Sequence, residues 1–480
     1  MIKNFSQVIL CVDLDGTLIH TDMLHETFFA LLKTSPLSIA KLPWILLTKG
    51  KAALKLFIAE KVEVDVSVLP YNQGFVAYLR EQHSLGRHLV LCTASDQSIA
   101  NAVAKYLGIF TEVMASNGTI NLEGERKALA LVEKFGEKEF DYAGNATPDL
   151  EVWRCARKAI VVNASPRLLR EVAAITNVVA VFDGGKSKLT VWVKALRLHQ
   201  WLKNGLLLVP LVAAHQLANG YAWVSLFWAI LAFSLCASSV YIANDLLDLE
   251  SDRKHPRKCN RPFASGALAI YNGAIVAPLL FLLSCGIGAY VGAAFLQWLL
   301  IYFLLTCIYS VKLKQLVIID CMTLAILYTL RIVAGAATVA SGISFWLLAF
   351  SVFLFLSLAF IKRFAELQVQ LLQGKQKVHG RGYFTDDAPL IQMLGITSGF
   401  MSVLVLALYL NSPEVQLLYE QPEWVWGNVL VMVFWVSWLW LRAHRGEMHD
   451  DPLIFAVKDK VSLVSGALFA GFLLLGSSNP

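Results

Sequence analysis

The sequence predicts a two-part protein: an amino-terminal α/β domain of the parallel-sheet, Rossmann-like kind, then an all-α polytopic membrane bundle of about nine transmembrane helices. Three observations predict it. Hydrophobic residues make up 57% of the 480 and charged residues only 16%, against roughly 45–50% and about 25% in soluble domains. Within about the first 180 residues, short apolar runs end in acidic or hydroxyl residues. From about Leu206, apolar run follows apolar run, most of them long enough to cross a bilayer.

In chain order, Val8–Val12 is an apolar run of strand length that ends in Asp13-Leu14-Asp15-Gly16-Thr17-Leu18. A buried parallel strand delivering two aspartates at its carboxyl end is a usual place for an α/β active site. Between Leu37 and Ile58 lie two short apolar pieces, Trp44–Leu47 and Leu54–Ile58, with Lys41, Lys49, Lys51 and Lys55 among them. Neither reaches the roughly 20 residues of a span. Two readings stay open: a basic amphipathic segment resting on the inner leaflet, or a plain pair of cap helices. His88–Cys92 is a second strand, ending in Thr93-Ala94-Ser95. Gly124-Glu125-Arg126-Lys127 and Asp141-Tyr142-Ala143-Gly144-Asn145, with Asp149 beyond, carry the next polar groups. Ala159–Val162 and Val178–Phe182 read as closing strands, and Asp183–Lys188 as a turn-rich linker. The domain limits are therefore 1–183, a linker at 184–196, and a membrane half at 197–480.

The DxDGT run resembles the first motif of the haloacid dehalogenase (HAD) superfamily of phosphatases. The resemblance implies that Asp13 is the nucleophile and Asp15 the general acid and base, both holding Mg²⁺. It further implies that Thr93 binds the phosphoryl group and that Lys127, with Arg126 as the neighbouring alternative, neutralises it. The segment from Leu37 stands where that family inserts a cap. Where the family commonly has an Asp after Gly144, this chain has Asn145, a weaker ligand, so Asp149 is left as the carboxylate of that metal site. A fold retained without catalysis is the competing reading.

The membrane half offers nine candidate spans, near 205–219, 222–243, 270–289, 291–309, 317–338, 344–361, 390–410, 424–441 and 461–476. Arg253, Lys254, Arg257, Lys258 and Arg261 follow the second, Lys312 and Lys314 the fourth, Lys362, Arg363, Lys375, Lys377 and Arg381 the sixth, and Arg442, Arg445, Lys458 and Lys460 the eighth. The alternate loops hold no Lys or Arg. Inside-positive bias then puts the basic loops and the amino-terminal domain in the cytoplasm, for a multi-pass inner-membrane protein. The net charge of +6 follows from that bias and gives no reason to invoke nucleic acid. The eight cysteines show no CxxC spacing and read as reduced thiols.

After the second span stands Asn244-Asp245-Leu246-Leu247-Asp248-Leu249-Glu250-Ser251-Asp252-Arg253. On a continued helix, Asp245, Asp248 and Asp252 share one face. Stacked acids repel unless a cation sits among them. Hard oxygen ligands suit Mg²⁺, which shares its shell with substrate phosphates. Acids for a metal beside bases for phosphate read as a site for a diphosphate-bearing donor. On the same face lie Lys203 in Leu198–Asn204, Lys312 and Lys314 in Tyr309–Lys314, and Asp320. Arg331 lies deeper in its span and Lys362, Arg363 and Glu366 end the sixth. Asp450, Asp451 and Asp459 approach the last. Arg331, ionisable within a span, is a functional candidate by default; a structural ion pair with Asp320 is its plain alternative.

NDLLDLESD followed by RKHPRKCNRP is similar to the signature of the UbiA superfamily of intramembrane prenyltransferases. RLHQWLKN, YSVKLKQLVIID and IKRFAEL look most like its polyprenyl-phosphate phosphoribosyltransferase branch. That resemblance implies transfer of 5-phosphoribose from the soluble donor phosphoribosyl diphosphate to a lipid phosphate. Asp245, Asp248 and Asp252, with Asn244 assisting, would hold Mg²⁺, and Lys203, Lys312, Lys314, Arg331, Lys362 and Arg363 would grip phosphates. The fused phosphatase would then remove the 5-phosphate. Two alternatives are an aromatic prenyltransferase, like 4-hydroxybenzoate polyprenyltransferase, using a polyprenyl diphosphate, and a transporter with a regulatory domain.

Overall fold

The structure is a computed structural model that describes residues 8–182, 188–376, 381–412, 419, 421–448 and 451–477. The chain divides into two compact units: residues 1–196 with 241–277, and residues 197–240 with 278–480.

The first unit holds one six-stranded sheet, made of β1 (Ile9–Val12), β2 (Leu89–Asp96), β3 (Glu112–Ser116), β4 (Phe140–Gly144), β5 (Lys158–Val162) and β6 (Asn177–Phe182). Its order is β3-β2-β1-β4-β5-β6 and every neighbouring pair is parallel. Leu10, Val12, Leu89, Leu91 and Ile160 pack into one core. Their sequence neighbours Cys11, Val90, Cys92 and Val161 pack into another. Helices cover both faces, which is why these strands read as unbroken apolar runs rather than alternating ones. The strand order reverses between β1 and β4, so Asp13 and Asn145 leave the sheet at the switch point where α/β folds open a crevice.

Between β1 and β2 the cap is helical. Asp22 caps Met23–Thr34 by accepting from the Leu24 and His25 amides. Leu42–Ala59 returns, broken at Gly50 with φ of 80°. After the sheet, Lys188–Leu196 forms a helix. The expected linker is therefore structured from Lys188 onward, and residues 183–187 lie outside the described ones.

Among the described residues, eight helices are long and apolar enough to cross a membrane: Gly220–Leu247, Ile270–Val291, Ala293–Val311, Ile319–Thr338, Phe345–Leu372, Thr385–Leu410, Pro422–His444 and Lys460–Ser477. They match eight of the nine expected spans. The ninth, at 205–219, differs. It is a 3₁₀ stretch, Leu198–Leu208, followed by the five-residue helix Val209–Ala213. Packing accounts for the difference: the Leu207 carbonyl lies against Gly335, where any Cβ would collide with it. This contact lays the 3₁₀ stretch along Ile319–Thr338. The sixth expected span also runs on to Leu372, so Lys362, Arg363 and Glu366 belong to a helix rather than to the loop after it.

Candidate functional site

The α/β domain assembles its site from the ends of three neighbouring strands. Asp13 follows β1, and its amide donates to Ala143 at 3.0 Å, tying it to β4. Lys127 Nζ reaches Asp13 at 2.7 Å and lies 3.8 Å from Asp149. Thr17 Oγ1 bridges Asp13 (3.3 Å) and Asn145 (3.2 Å). Gly16 has φ of 75°, and a Cβ there would strike the Asn145 amide, so glycine is needed for both conformation and space. Asp15 accepts from Ser95 Oγ at 2.7 Å, from Thr93 Oγ1 at 3.4 Å and from the Met23 amide at 2.8 Å. Burial pushes Asp13 up to about 7, with Lys127 opposing and Asp149 and Asp15 adding to the rise. Burial likewise pushes Asp15 up to about 6, with Asp22 adding and the Ser95 hydrogen bond opposing. Burial works against the charge on Lys127, but Asp13 and Asp149 hold it protonated.

Asp149 departs from its expected part as a metal ligand. One of its oxygens accepts from the Asn145 and Ala146 amides at 3.0 Å each, and the other from the Tyr142 hydroxyl at 2.7 Å. Its lone pairs are turned to the protein, and it stands behind Lys127. Arg126, the alternative to Lys127, is exposed.

The acidic motif of the membrane half belongs to the same compact unit. Its helix does not simply continue: Gly220–Leu247 ends, Asp248 has non-helical φ and ψ of −101° and 13°, and Leu249–Lys254 resumes. The i→i+4 bonds persist through the break, from the Asp248 amide to Asn244 at 2.9 Å and from the Asp252 amide to Asp248 at 2.8 Å. The shared face therefore survives for Asp245 and Asp252, both 2% exposed. Arg261 Nη1 sits between them, 3.2 Å from Asp245 and 2.6 Å from Asp252. Asn244 and Asp248 are half-buried alongside.

The bases expected to bind phosphate are otherwise engaged. Arg253 forms a buried two-pronged pair with Glu26 of the cap, at 2.6 and 3.1 Å, and also donates to the Ala264 carbonyl. Lys254 pairs with Glu250 and Asp65. Arg257 and Lys258 are exposed.

Among the described residues no three His, Cys, Asp or Glu side chains gather as a ready metal cage. In each acidic cluster a cationic side chain, Lys127 or Arg261, occupies the space between carboxylates. All-oxygen donors with a positive charge drawn among them fit Mg²⁺.

The second unit carries two clusters of charge. In the first, Asp451 accepts from Lys203 at 2.7 Å and from the Tyr328 hydroxyl at 3.0 Å, with Lys362 at 3.4 Å. Beside it, Arg331 is 4% exposed. It donates to Asn204 at 3.0 Å, the Tyr302 hydroxyl at 3.0 Å and the Leu327 carbonyl at 2.6 Å, and its guanidinium lies 4.8 Å from the Tyr302 ring centre. All these partners are neutral. The expected pair with Asp320 does not form; a different arginine has taken that acid.

In the second cluster, Asp320 pairs with Arg363 at 2.5 Å and Arg381 at 3.5 Å and accepts from the Tyr383 hydroxyl. Glu366 pairs with the same two arginines. Arg363 is fully buried, so the phosphate-gripping part expected of it is replaced by a structural one. Lys312 is exposed and Lys314 half-buried in the loop before Ile319.

Family models now match both halves. That of the UbiA prenyltransferase family matches residues 207–464. The chain belongs to the UbiA prenyltransferase family. A second model, haloacid dehalogenase-like hydrolase, matches residues 10–144. The molecule is thus a multi-pass membrane transferase of the UbiA family with a fused HAD-like domain. A relative from Sinorhizobium fredii, y4nM, described as uncharacterized, is 36% identical over 96% of this chain and 89% of its own length. The nodulation protein NoeC of Azorhizobium caulinodans is 36% identical over 56% of this chain and 88% of its own. The decaprenyl-phosphate phosphoribosyltransferase of Mycolicibacterium smegmatis is 33% identical over 56% of this chain and 86% of its own.

Several residues of this UbiA protein escaped the sequence reading as site members. Ser95 and Tyr142 orient Asp15 and Asp149, and Asn204, Tyr302 and Tyr328 surround Arg331 and Asp451. Ser95, Tyr142 and Asn204 stood inside motifs already singled out. Tyr302 and Tyr328 had no local signal, because each meets its partner from a distant element.

Proposed function

We propose that the membrane half transfers 5-phosphoribose from phosphoribosyl diphosphate to a polyprenyl phosphate at the cytoplasmic face of the inner membrane, and that the HAD-like domain removes the 5-phosphate from the product. The observation that carries this reading is Arg331, a buried arginine on an apolar helix whose partners are all neutral. A charge within a membrane span costs about 2.5–3.5 kcal/mol even on lenient scales. An arginine kept at that cost without a carboxylate is suited to an anionic substrate. Lys203 and Lys362 both reach the carboxylate of Asp451, so two cations converge on one acid there. Likeness to the decaprenyl-phosphate phosphoribosyltransferase of Mycolicibacterium smegmatis supports transfer of phosphoribose to a polyprenyl phosphate.

In this reading Asp245, Asp248 and Asp252, with Asn244, would hold Mg²⁺ for the donor diphosphate, in the space that Arg261 takes between Asp245 and Asp252. The ion supplies charge neutralisation for the leaving diphosphate. Arg331, Lys203 and Lys362 bind phosphate oxygens, and Lys312 and Lys314 attract the donor from solvent. A lipid phosphate oxygen attacks the anomeric carbon, and diphosphate departs. In the HAD-like domain ionised Asp13 attacks the 5-phosphate while Asp15, in its protonated form, gives its proton to the leaving sugar oxygen; water then hydrolyses the aspartyl phosphate and releases inorganic phosphate. Thr93 and Lys127 steady the phosphoryl oxygens.

Mass spectrometry of lipids made by the purified protein with Mg²⁺, polyprenyl phosphate and phosphoribosyl diphosphate tests the proposal. The expected product is a lipid-linked ribose. Prenylation of 4-hydroxybenzoate from a polyprenyl diphosphate, with no reaction of phosphoribosyl diphosphate, would replace this reading by the aromatic one.

A further inference from the structure

The cap presents a surface that neither site uses. From Thr27 to Ala59 the chain has five lysines, Lys33, Lys41, Lys49, Lys51 and Lys55, and no carboxylate. Leu31, Leu42, Ile58 and Val62 form the small core that holds the cap together. At the far end, Leu37 is 90% exposed, Trp44 70% and Leu47 84%, uncovered by any described part of the chain. Lys33, Lys41 and Lys49 are exposed around them, while Lys51 pairs with Glu123 at 3.8 Å. Gly50, with φ of 80°, breaks the helix directly behind this tip. Past the break, Lys55 Nζ donates to the Ala94 carbonyl at 2.6 Å and to Asn121 at 3.0 Å. Ala94 lies between Thr93 and Ser95, whose hydroxyls both contact Asp15. One hairpin thus carries an apolar, basic tip at one end and borders the phosphatase site at the other.

Large apolar side chains left in water mark an interaction surface. Tryptophan and leucine flanked by exposed lysines match an anionic bilayer surface, where apolar side chains enter and cations meet the headgroups. The chain crosses a membrane, so that surface is at hand. We infer that the cap tip inserts among anionic lipid headgroups and that the phosphatase site takes a phosphate ester anchored in the bilayer in preference to a soluble one. This rests on the phosphatase reading above and adds the physical form of its substrate.

The test uses the full-length protein in nanodiscs containing anionic lipid. With 13 tryptophans in the chain, Trp44 is read as the fluorescence difference between wild type and Trp44→Phe. Brominated lipid is expected to quench that difference signal, and an unquenched signal overturns the membrane contact. Hydrolysis is then followed for a lipid-anchored phosphomonoester in the disc and for p-nitrophenyl phosphate in solution. Changing Trp44 and Leu47 together to Glu should lower kcat/KM on the lipid about tenfold and leave the soluble ester unchanged. Equal loss on both, or loss on neither, overturns the substrate inference. A wild type inactive on both overturns the phosphatase reading together with that inference, while the quenching result decides the membrane contact independently.

Discussion

Two clusters in the membrane bundle use the same residue types and differ in charge balance. Around Asp320 and Glu366, two arginines face two carboxylates, with Asp320 and Arg363 fully buried. Around Asp451, Lys203 and Lys362 pair with one carboxylate among the described residues, with Glu366 also acting on Lys362, while Arg331 meets neutral groups. A balanced buried network fixes helices to one another. A network short of negative charge has room for a phosphate. Sequence position does not separate them: Lys362 and Arg363 are adjacent, yet one faces Asp451 and the other Asp320.

Substitutions can break that contrast. The largest stability effect belongs to Arg363→Met, which leaves buried Asp320 with only the longer pair to Arg381 and the Tyr383 hydroxyl and should cost about 3 kcal/mol. Thermal unfolding in detergent measures it. A variant that stays fully stable but loses donor affinity would erase the distinction between the clusters. Arg331→Gln should do the opposite, keeping the melting temperature while lowering turnover at least about 100-fold, the scale of one lost group that stabilises developing charge. Gly335→Val sharpens the point: it touches no substrate, but pushes the Leu207 carbonyl away and should impair turnover by moving Asn204 off Arg331.

The two acidic sites offer a second contrast. Asp13→Asn should leave sugar transfer intact and cause the 5-phosphorylated lipid to accumulate, as lipid mass spectrometry would show. Removal of metal should register through pH. Asp13 and Asp15 titrate near 7 and 6 when folded, above the roughly 3.9 of an unfolded aspartate. The folded state then holds more protons than the unfolded one. Metal-free stability of the α/β domain should fall as pH rises from about 4 through 7. Mg²⁺ needs both acids ionised, so its stabilising effect should grow over the same window. Hydrogen exchange of β1 with and without Mg²⁺ at pH 5 and 8 measures both. The smallest effect is expected of Lys312→Ala, an exposed loop residue: a few-fold change in the donor's on-rate, reduced by salt.

Much of this was legible along the chain because it is local. Strand β1 and its DxDGT end, the helical register of Asp245 and Asp252, and eight of nine spans follow from short-range periodicity and from the demand that lipid makes on the backbone. The departure from a continuous α-helix at 205–219 is also physical. Its apolar content is that of a span, but the close approach at Gly335 is a contact between distant segments.

By itself, then, the sequence determined the two-part architecture, the strand that delivers Asp13 and Asp15, and the acids after the second membrane helix. Only the tertiary structure decided which charges are paired. It gave Asp320 to Arg363 rather than Arg331, turned Asp149 toward backbone amides, placed Arg261 between Asp245 and Asp252, and joined Arg253 to Glu26. Period and composition fix which face of an element is apolar. The partner of a buried charge is set by whichever distant side chain reaches it first, and that information is spread over the whole fold.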